Sequence, residues 1–263
     1  MADVQADGQD RLGEWLDFWN NGGMYELHAR RPHLKLEEHY DRYMHGKAKA
    51  KVFFPLCGDV IDMISLADKG HEIVGVECSE LGIKSFFGRN NIGYSQESCD
   101  TVKGKLFKSK DENVNIRIYC CDLFNFNTSV EGRFDVIVDF GSMGAMLRKD
   151  LQTYADLMRS LLKPEGRHIL ECFVYDLEKF PDSRPLCFTV PQLKGLYGAS
   201  CSVEKIDEGP NPYEDEEAKT CDTAETTTGD EQGGVGRGEP SEEESDCPDI
   251  TGAAYFLIQH LQC

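Results

Sequence analysis

The sequence predicts an α/β domain built on a doubly wound, mostly parallel sheet of seven strands that ends in an antiparallel hairpin. Three observations predict it. Short apolar runs alternate with segments of helical spacing, the pattern of strands joined by crossover helices. The last two apolar runs, Cys201–Ile206 and Ala253–Ile258, have no helical segment between them. Finally, apolar residues make up 40% of the 263 residues, enough for a sizeable core in one domain.

The elements follow in order. Lys51–Leu56 is an apolar run closed by Cys57-Gly58, a strand and a tight turn. From Asp59 to Lys69, Val60, Met63, Ile64 and Ala67 recur at helical spacing, and Gly70 stops the helix. His71–Glu77 is a second strand ending in an acid, and Ser79 caps a helix to about Arg89 with Leu81, Ile83, Phe86 and Phe87 inward. Val114–Cys121 and Phe134–Asp139 are the next strands, and Leu151–Leu162 is a helix with Tyr154, Leu157, Met158 and Leu161 apolar. Lys163–Gly166 reads as a turn before a strand over Arg167–Val174, and Pro191–Tyr197 as a short helix. Five parallel strands closed by a terminal hairpin is the Rossmann-like architecture of class I methyltransferases.

Charge is unevenly placed. The net charge is −19, but residues 207–249 hold 16 acidic side chains against Lys219 and Arg237 alone. Residues 209–250 are also nearly free of large apolar side chains, so an acidic disordered insertion is expected between the last two strands. The methyltransferase domain is then 11–208 with 251–263, behind a flexible start over 1–10. The acidic balance argues against a nucleic-acid partner. No apolar run is long enough for a membrane span. The acidic first twenty residues do not resemble a secretory signal, and eleven unpaired-looking cysteines suggest a reducing, cytoplasmic setting. Their spacing does not suit zinc, and no metal is expected.

In such sheets ligands lie beyond the carboxyl ends of the strands, near the switch in strand order. Pro55-Leu56-Cys57-Gly58 supplies a tight turn there, with Gly58 leading into a helix N-terminus that favours an anionic group. Glu77 ends the second strand, where a carboxylate accepts hydrogen bonds from ribose hydroxyls. Asp122 is placed to accept from an adenine amino group or to cap a helix, with Leu123 over the ring face. Asp139, ahead of Phe140-Gly141, faces the sulfonium or the acceptor and is a candidate to take a proton through water. No nucleophile–base arrangement is readable among seven scattered histidines. Trp15 and Trp19 share one helix face, and either pack that helix on the domain or form a lid whose rings suit a sulfonium cation.

Glu14-Trp15 with Trp19 and Gly22, Val52-Phe53-Phe54-Pro55-Leu56-Cys57-Gly58, Gly70-His71 with Val74-Gly75-Val76-Glu77, Ser79-Glu80-Leu81-Gly82-Ile83, Tyr119-Cys120-Cys121 and Phe134-Asp135 resemble the thiopurine S-methyltransferase family over about residues 11–200. The resemblance implies a cytoplasmic, S-adenosylmethionine-dependent enzyme that methylates sulfur in aromatic and heterocyclic thiols; a monomer acting on a small-molecule thiol is expected. It implies cofactor contacts from Trp15, Trp19, Leu56, Glu77, Asp122 and Leu123, and a place near the substrate for Leu27. The sequence departs from the family where a fourth strand usually ends Asp-Arg-Gly: here it reads Asp139-Phe140-Gly141, placing Phe140 at the cofactor and removing a cation. The acidic tract likewise replaces a shorter basic and aromatic loop. Another small acceptor (an amine, a selenol or arsenite) and a binding scaffold with an acidic partner tract are the alternatives.

Overall fold

The computed structural model describes residues 3–22, 31–181, 183–212, 248 and 250–261, with side chains described from residue 12 onward. The expected disordered segment falls almost wholly outside these residues, as does Leu27. The first helix, α1 (Asp3–Asn20), begins within the stretch expected to be flexible. Two short helices follow, α2 (Leu34–Glu38) and α3 (Tyr40–Met44). The sheet then begins with β1 (Lys51–Phe54), α4 (Asp62–Asp68), β2 (Glu72–Glu77) and α5 (Glu80–Arg89). β3 (Tyr94–Cys99), β4 (Gly104–Ser109) and β5 (Ile116–Cys120) come next, then α6 (Thr128–Glu131) and β6 (Phe134–Phe140). The chain ends with α7 (Leu151–Leu161), β7 (Leu162–Val174), α8 (Val190–Tyr197), β8 (Cys201–Gly209) and β9 (Gly252–His260).

Among the described residues, nine strands form one sheet in the order β3-β4-β5-β2-β1-β6-β7-β9-β8. β5, β2, β1, β6 and β7 are parallel, and β8–β9 is the expected antiparallel hairpin, joined antiparallel to β7. The seven expected strands are therefore present, but the count of seven is corrected to nine. β3 and β4 add an antiparallel ribbon at the far edge. Four of the six residues of β3 are exposed, so it carries no apolar alternation to announce it.

Other boundaries also move. Lys163–Gly166 falls within β7 but takes no part in its ladder to β6: the register steps from Phe134 opposite Leu162 to Val136 opposite Arg167, so the expected turn is a bulge inside the strand. The helix expected from Asp59 starts at Asp62. Leu81, expected inward, is exposed on α5, whereas Ile83, Phe86 and Phe87 are fully buried. Ser79 caps α5 as its sequence suggested, its hydroxyl accepting from Gly82 N at 3.2 Å.

Because side chains alternate across a strand, the core forms two layers. Phe53, Val74, Ile137 and Leu170 pack on one face with Tyr154, Met158, Leu193 and Tyr197 of α7 and α8. Val52, Phe54, Ile73 and Val138 pack on the other with Met63 and Phe86 of α4 and α5 and with Tyr43 of α3. β1 is the centre of the sheet, with the chain going first to one side and then to the other. The carboxyl ends of β1, β2 and β6 thus surround the topological switch point, where a ligand crevice forms. Among the described residues no helix is long and apolar enough to cross a membrane.

Candidate cofactor site

The turn after β1 is shaped by two residues in the left-handed region, Leu56 at φ 44° and Gly58 at φ 49°. Leu56 is a position where a non-glycine residue stores strain, a feature that clusters at ligand sites. Cys57 N–H donates to Val76 O at 2.9 Å, so the turn stays laced to β2.

Glu77, at the tip of β2, is buried. Its Oε2 accepts from Gly58 N at 3.0 Å, and its Oε1 from Ser79 N at 2.9 Å and the Cys78 thiol at 3.4 Å. Burial pushes its pKa up against these bonds, which favour the anion. A carboxylate offers about four acceptor positions, so capacity is left for a hydroxyl donor.

A small apolar crevice opens beside it, lined by Trp15, Leu56, Cys78, Asp122, Leu123 and Met146 together with Leu12 and Phe124. Four of the residues singled out in the sequence therefore meet in one place. Asp122 Oδ1 accepts from Phe124 N at 3.1 Å, capping the short helical turn Leu123–Asn125 while lining the crevice. Of the two readings of Asp122, the cap is the one the hydrogen bond shows.

The two tryptophans divide their work. Trp19 is only 5% exposed, its ring lying on Gly58 and Gly82: a Cβ at Gly82 would come within 2.8 Å of the indole. Trp19 therefore packs α1 onto the domain, in contact with the turn. Trp15 is half-buried and faces the crevice, and Phe18 bridges the pair edge-to-face at 5.8 and 5.7 Å.

The β6 end is arranged differently from the expectation. Asp139 is fully buried; Oδ1 accepts from Met143 N at 3.0 Å and Oδ2 from the Tyr154 hydroxyl at 2.7 Å. It faces the core, where it holds the turn that follows β6, and Ser142 Oγ donates to Pro55 O at 2.6 Å to join that turn to β1. Phe140 does not line the crevice with Leu56 and Leu123. Its ring packs on His33 at 4.3 Å between centroids. His33 Nδ1 accepts from Lys35 N, so the ring proton sits on Nε2 and is donated to Glu171 at 2.7 Å. His33 N–H donates to Asp62 Oδ1 at 2.8 Å, and burial raises Asp62 to about 6. This buried cluster was not legible in the sequence, because its members are separated by up to 138 residues.

The family model for thiopurine S-methyltransferase matches residues 10–228. The chain belongs to the thiopurine S-methyltransferase family. The cattle thiopurine S-methyltransferase (Bos taurus) is 38% identical over 210 residues, covering 78% of this chain and 84% of the bovine one. That of the rat (Rattus norvegicus) is 36% identical over 208 residues, covering 79% and 85%. A 1,6-didemethyltoxoflavin-N1-methyltransferase from Burkholderia thailandensis, solved with its substrate and S-adenosylhomocysteine, superposes with a TM-score of 0.56 at 14% identity, covering 99% of this chain and 91% of its own. At that identity the likeness bears on the fold alone, and the fold is the class I methyltransferase architecture expected from the strand order. Membership makes the chain an S-adenosylmethionine-dependent methyltransferase.

Proposed function

We propose that this crevice holds the adenosyl part of S-adenosylmethionine and that the protein methylates the sulfur of aromatic or heterocyclic thiols. The observation that carries the reading is the meeting of Trp15, Leu56, Asp122 and Leu123 in one crevice, next to a turn whose Gly58 N–H is held by the buried Glu77. The donor set suits the group. Glu77 retains acceptor capacity for one ribose hydroxyl, the apolar walls of Leu56 and Leu123 suit a purine face, and Asp122 adds a carboxylate to the lining.

When bound, the cofactor supplies an electrophilic methyl on a sulfonium. The chain's own residues bind, orient and exclude water. Glu77 fixes the sugar, and through Gly58 N–H it also fixes the turn after β1. Trp19 fastens α1 over that turn, which keeps Trp15 at the crevice and bulk water out of it. Asp139 and Ser142 fix the turn after β6 from within, so Asp139 is a positioning residue in this reading and takes no proton. None is required of it, since aromatic thiols ionise near neutral pH and transfer then depends on alignment. Phe140 and Leu27 remain candidates for the cofactor and acceptor sides respectively.

The protein is read as a cytoplasmic monomer acting on small molecules, with the acidic tract as a solvated insertion. Calorimetry with S-adenosylhomocysteine tests the first half of the proposal, and methyl transfer from labelled donor to a panel of thiols, selenols, amines and arsenite tests the second. Binding followed by transfer to thiols is expected. Transfer only to amines or oxyanions removes the thiol assignment, and tight binding with no transfer favours a scaffold.

A further inference from the structure

A buried polar cluster on the other half of the sheet takes no part in holding the crevice turns, yet it stands at the same height. Phe140 lies opposite Glu171 of β7, and Glu171 opposite Tyr255 of β9. Toward the crevice, Phe53 lies opposite Ile137 and Phe54 opposite Gly75. Counting up each strand from those pairs brings Glu77, Leu56, Phe140, Glu171 and Tyr255 into one row at the carboxyl edge of the sheet.

His33 covers the far part of that row. It is 7% exposed and Glu171 1%, whereas Phe140 is half-buried. His33 Nε2–H donates to Glu171 Oε2 at 2.7 Å, its Nδ1 accepts from Lys35 N–H at 3.2 Å, and its backbone N–H donates to Asp62 Oδ1 at 2.8 Å. With both nitrogens engaged, what the imidazole offers its surroundings is the ring itself. That ring packs on Phe140 at 4.3 Å and meets Tyr255 edge-on at 5.7 Å between centroids. A buried carboxylate is costly unless it is hydrogen-bonded, so the Glu171 bond fixes one orientation of His33 and, through it, the side chain at the tip of β6.

We propose that Phe140 presents its ring to the sulfonium of S-adenosylmethionine, and that His33, anchored by Glu171, is the positioning residue that holds it there. This assignment rests on the placing of the sugar at Glu77. β6 is two strands from β2, about 10 Å away, a span that a ribose and its 5′ substituent cover. A sulfonium is a cation with no N–H to donate, so an aromatic face attracts it where a hydrogen bond cannot. The neutral thioether of S-adenosylhomocysteine gains no such attraction. Phe140 thereby favours the charged donor over its spent product. Trp15, the other ring suited to a sulfonium, stands instead among the apolar walls of the crevice.

The test is calorimetry of the full chain with S-adenosylmethionine and with S-adenosylhomocysteine, without acceptor, in wild type, F140L, H33N and the double variant. Asn at position 33 keeps an acceptor for Lys35 N–H while removing the ring and the donor to Glu171. The readout is the ratio of the two dissociation constants, which a loss of stability alone does not move. F140L is expected to lower the preference for the sulfonium by about 2- to 25-fold, the range of cation–π attraction, with the Kd for S-adenosylhomocysteine within about twofold of wild type. H33N is expected to move the ratio in the same direction. The double variant is expected to go no further than F140L, because His33 acts through Phe140. If urea curves show that H33N does not fold, E171M and E171Q carry the test. E171M withdraws the acceptor from His33 and is expected to lower the ratio, and E171Q, which retains an oxygen there, to restore most of it. An unchanged ratio in F140L overturns the sulfonium contact. An unchanged ratio in folded H33N or in E171M, or losses that multiply in the double variant, overturn the role of His33. A wild type that binds neither ligand overturns the reading of the crevice itself.

Discussion

Glu77→Gln is nearly isosteric, and its effects follow from the hydrogen bonds of the wild-type carboxylate. Two backbone N–H groups, Gly58 at 3.0 Å and Ser79 at 2.9 Å, each point at a different oxygen. An amide has one oxygen, so its NH2 must face one of those donors. A buried donor left unpaired costs about 1–3 kcal/mol. Burial has already raised the pKa of Glu77, so removing the charge recovers part of a desolvation cost. The net loss in stability is therefore expected near the low end, about 1 kcal/mol. Cofactor binding loses a charge-assisted bond to a sugar hydroxyl, worth about 1.5–3 kcal/mol. That converts to roughly a 10- to 150-fold rise in Kd. Calorimetry with S-adenosylhomocysteine, run beside urea unfolding of the same samples, separates the two effects. A folded E77Q that binds within about twofold of wild type, well under 1 kcal/mol, would refute the placing of the ribose at Glu77.

Three further outcomes follow from the geometry. Gly82→Ala places a Cβ 2.8 Å from the Trp19 indole; overpacking of about 1–3 kcal/mol outweighs a helix gain of up to about 1 kcal/mol, so urea unfolding should show a net loss and tryptophan emission a red shift. Asp62, raised to about 6 by burial, is protonated more readily in the folded state, so its contribution is fully present below its unfolded pKa and declines as pH rises through 6. Asp62→Asn keeps the acceptor for His33 N–H, and should be more stable than wild type by about 1–2 kcal/mol at pH 8, with the two converging near pH 4 in urea titrations. Glu131 is the reverse case. Against the upward push of burial, hydrogen bonds from Arg117, Lys51 and Tyr119 hold it down to about 2, so its stabilisation is present above its ordinary pKa and is lost as pH falls toward 2. Glu131→Gln should cost roughly 2 kcal/mol at pH 7 after discounting for solvent screening, a penalty that fades below about pH 3.

What could be read from the sequence depended on how far apart the cooperating residues lie. Lys51–Phe54 and Phe134–Phe140 are buried on both faces, so their apolar runs announce themselves, and the acid at the tip of β2 follows from the strand before it. Tyr94–Cys99 is polar and exposed, a strand only because β4 pairs with it. Lys163-Pro164-Glu165-Gly166 carries turn residues, and the ladder to β6 skips them, stepping from Leu162 to Arg167, so their turn character shows as a bulge inside β7. The crevice was legible because its walls are strand ends and the turns after them. The packing of Phe140 on His33, and the burial of Asp139 behind Tyr154, depend on side-chain meetings across the sheet that no local pattern encodes.

The acidic tract provides the remaining prediction, and the hairpin supplies its arithmetic. Gly209 pairs with Ala253, so the chain leaves β8 and re-enters β9 at the same edge of the sheet, and a Cβ on Gly252 would come within 2.5 Å of Gly209 O. The two strand ends are thus already together, and 42 residues, 210–251, join them in the sequence. Closure entropy grows as about (3/2)RT ln n, so cutting the connection to about ten residues lowers that cost by about 1 kcal/mol. Deleting residues 213–247 and rejoining the strands through a short glycine-containing loop is therefore expected to raise stability by up to this amount in urea unfolding, with affinity for S-adenosylhomocysteine unchanged. The residues that converge on the crevice come from α1 and from the segments after β1, β2, β5 and β6, none of them in the hairpin. A shortened chain that unfolds more easily would mean the tract makes stabilising contacts with the domain. One that keeps its stability but loses the cofactor would place part of the tract at the site.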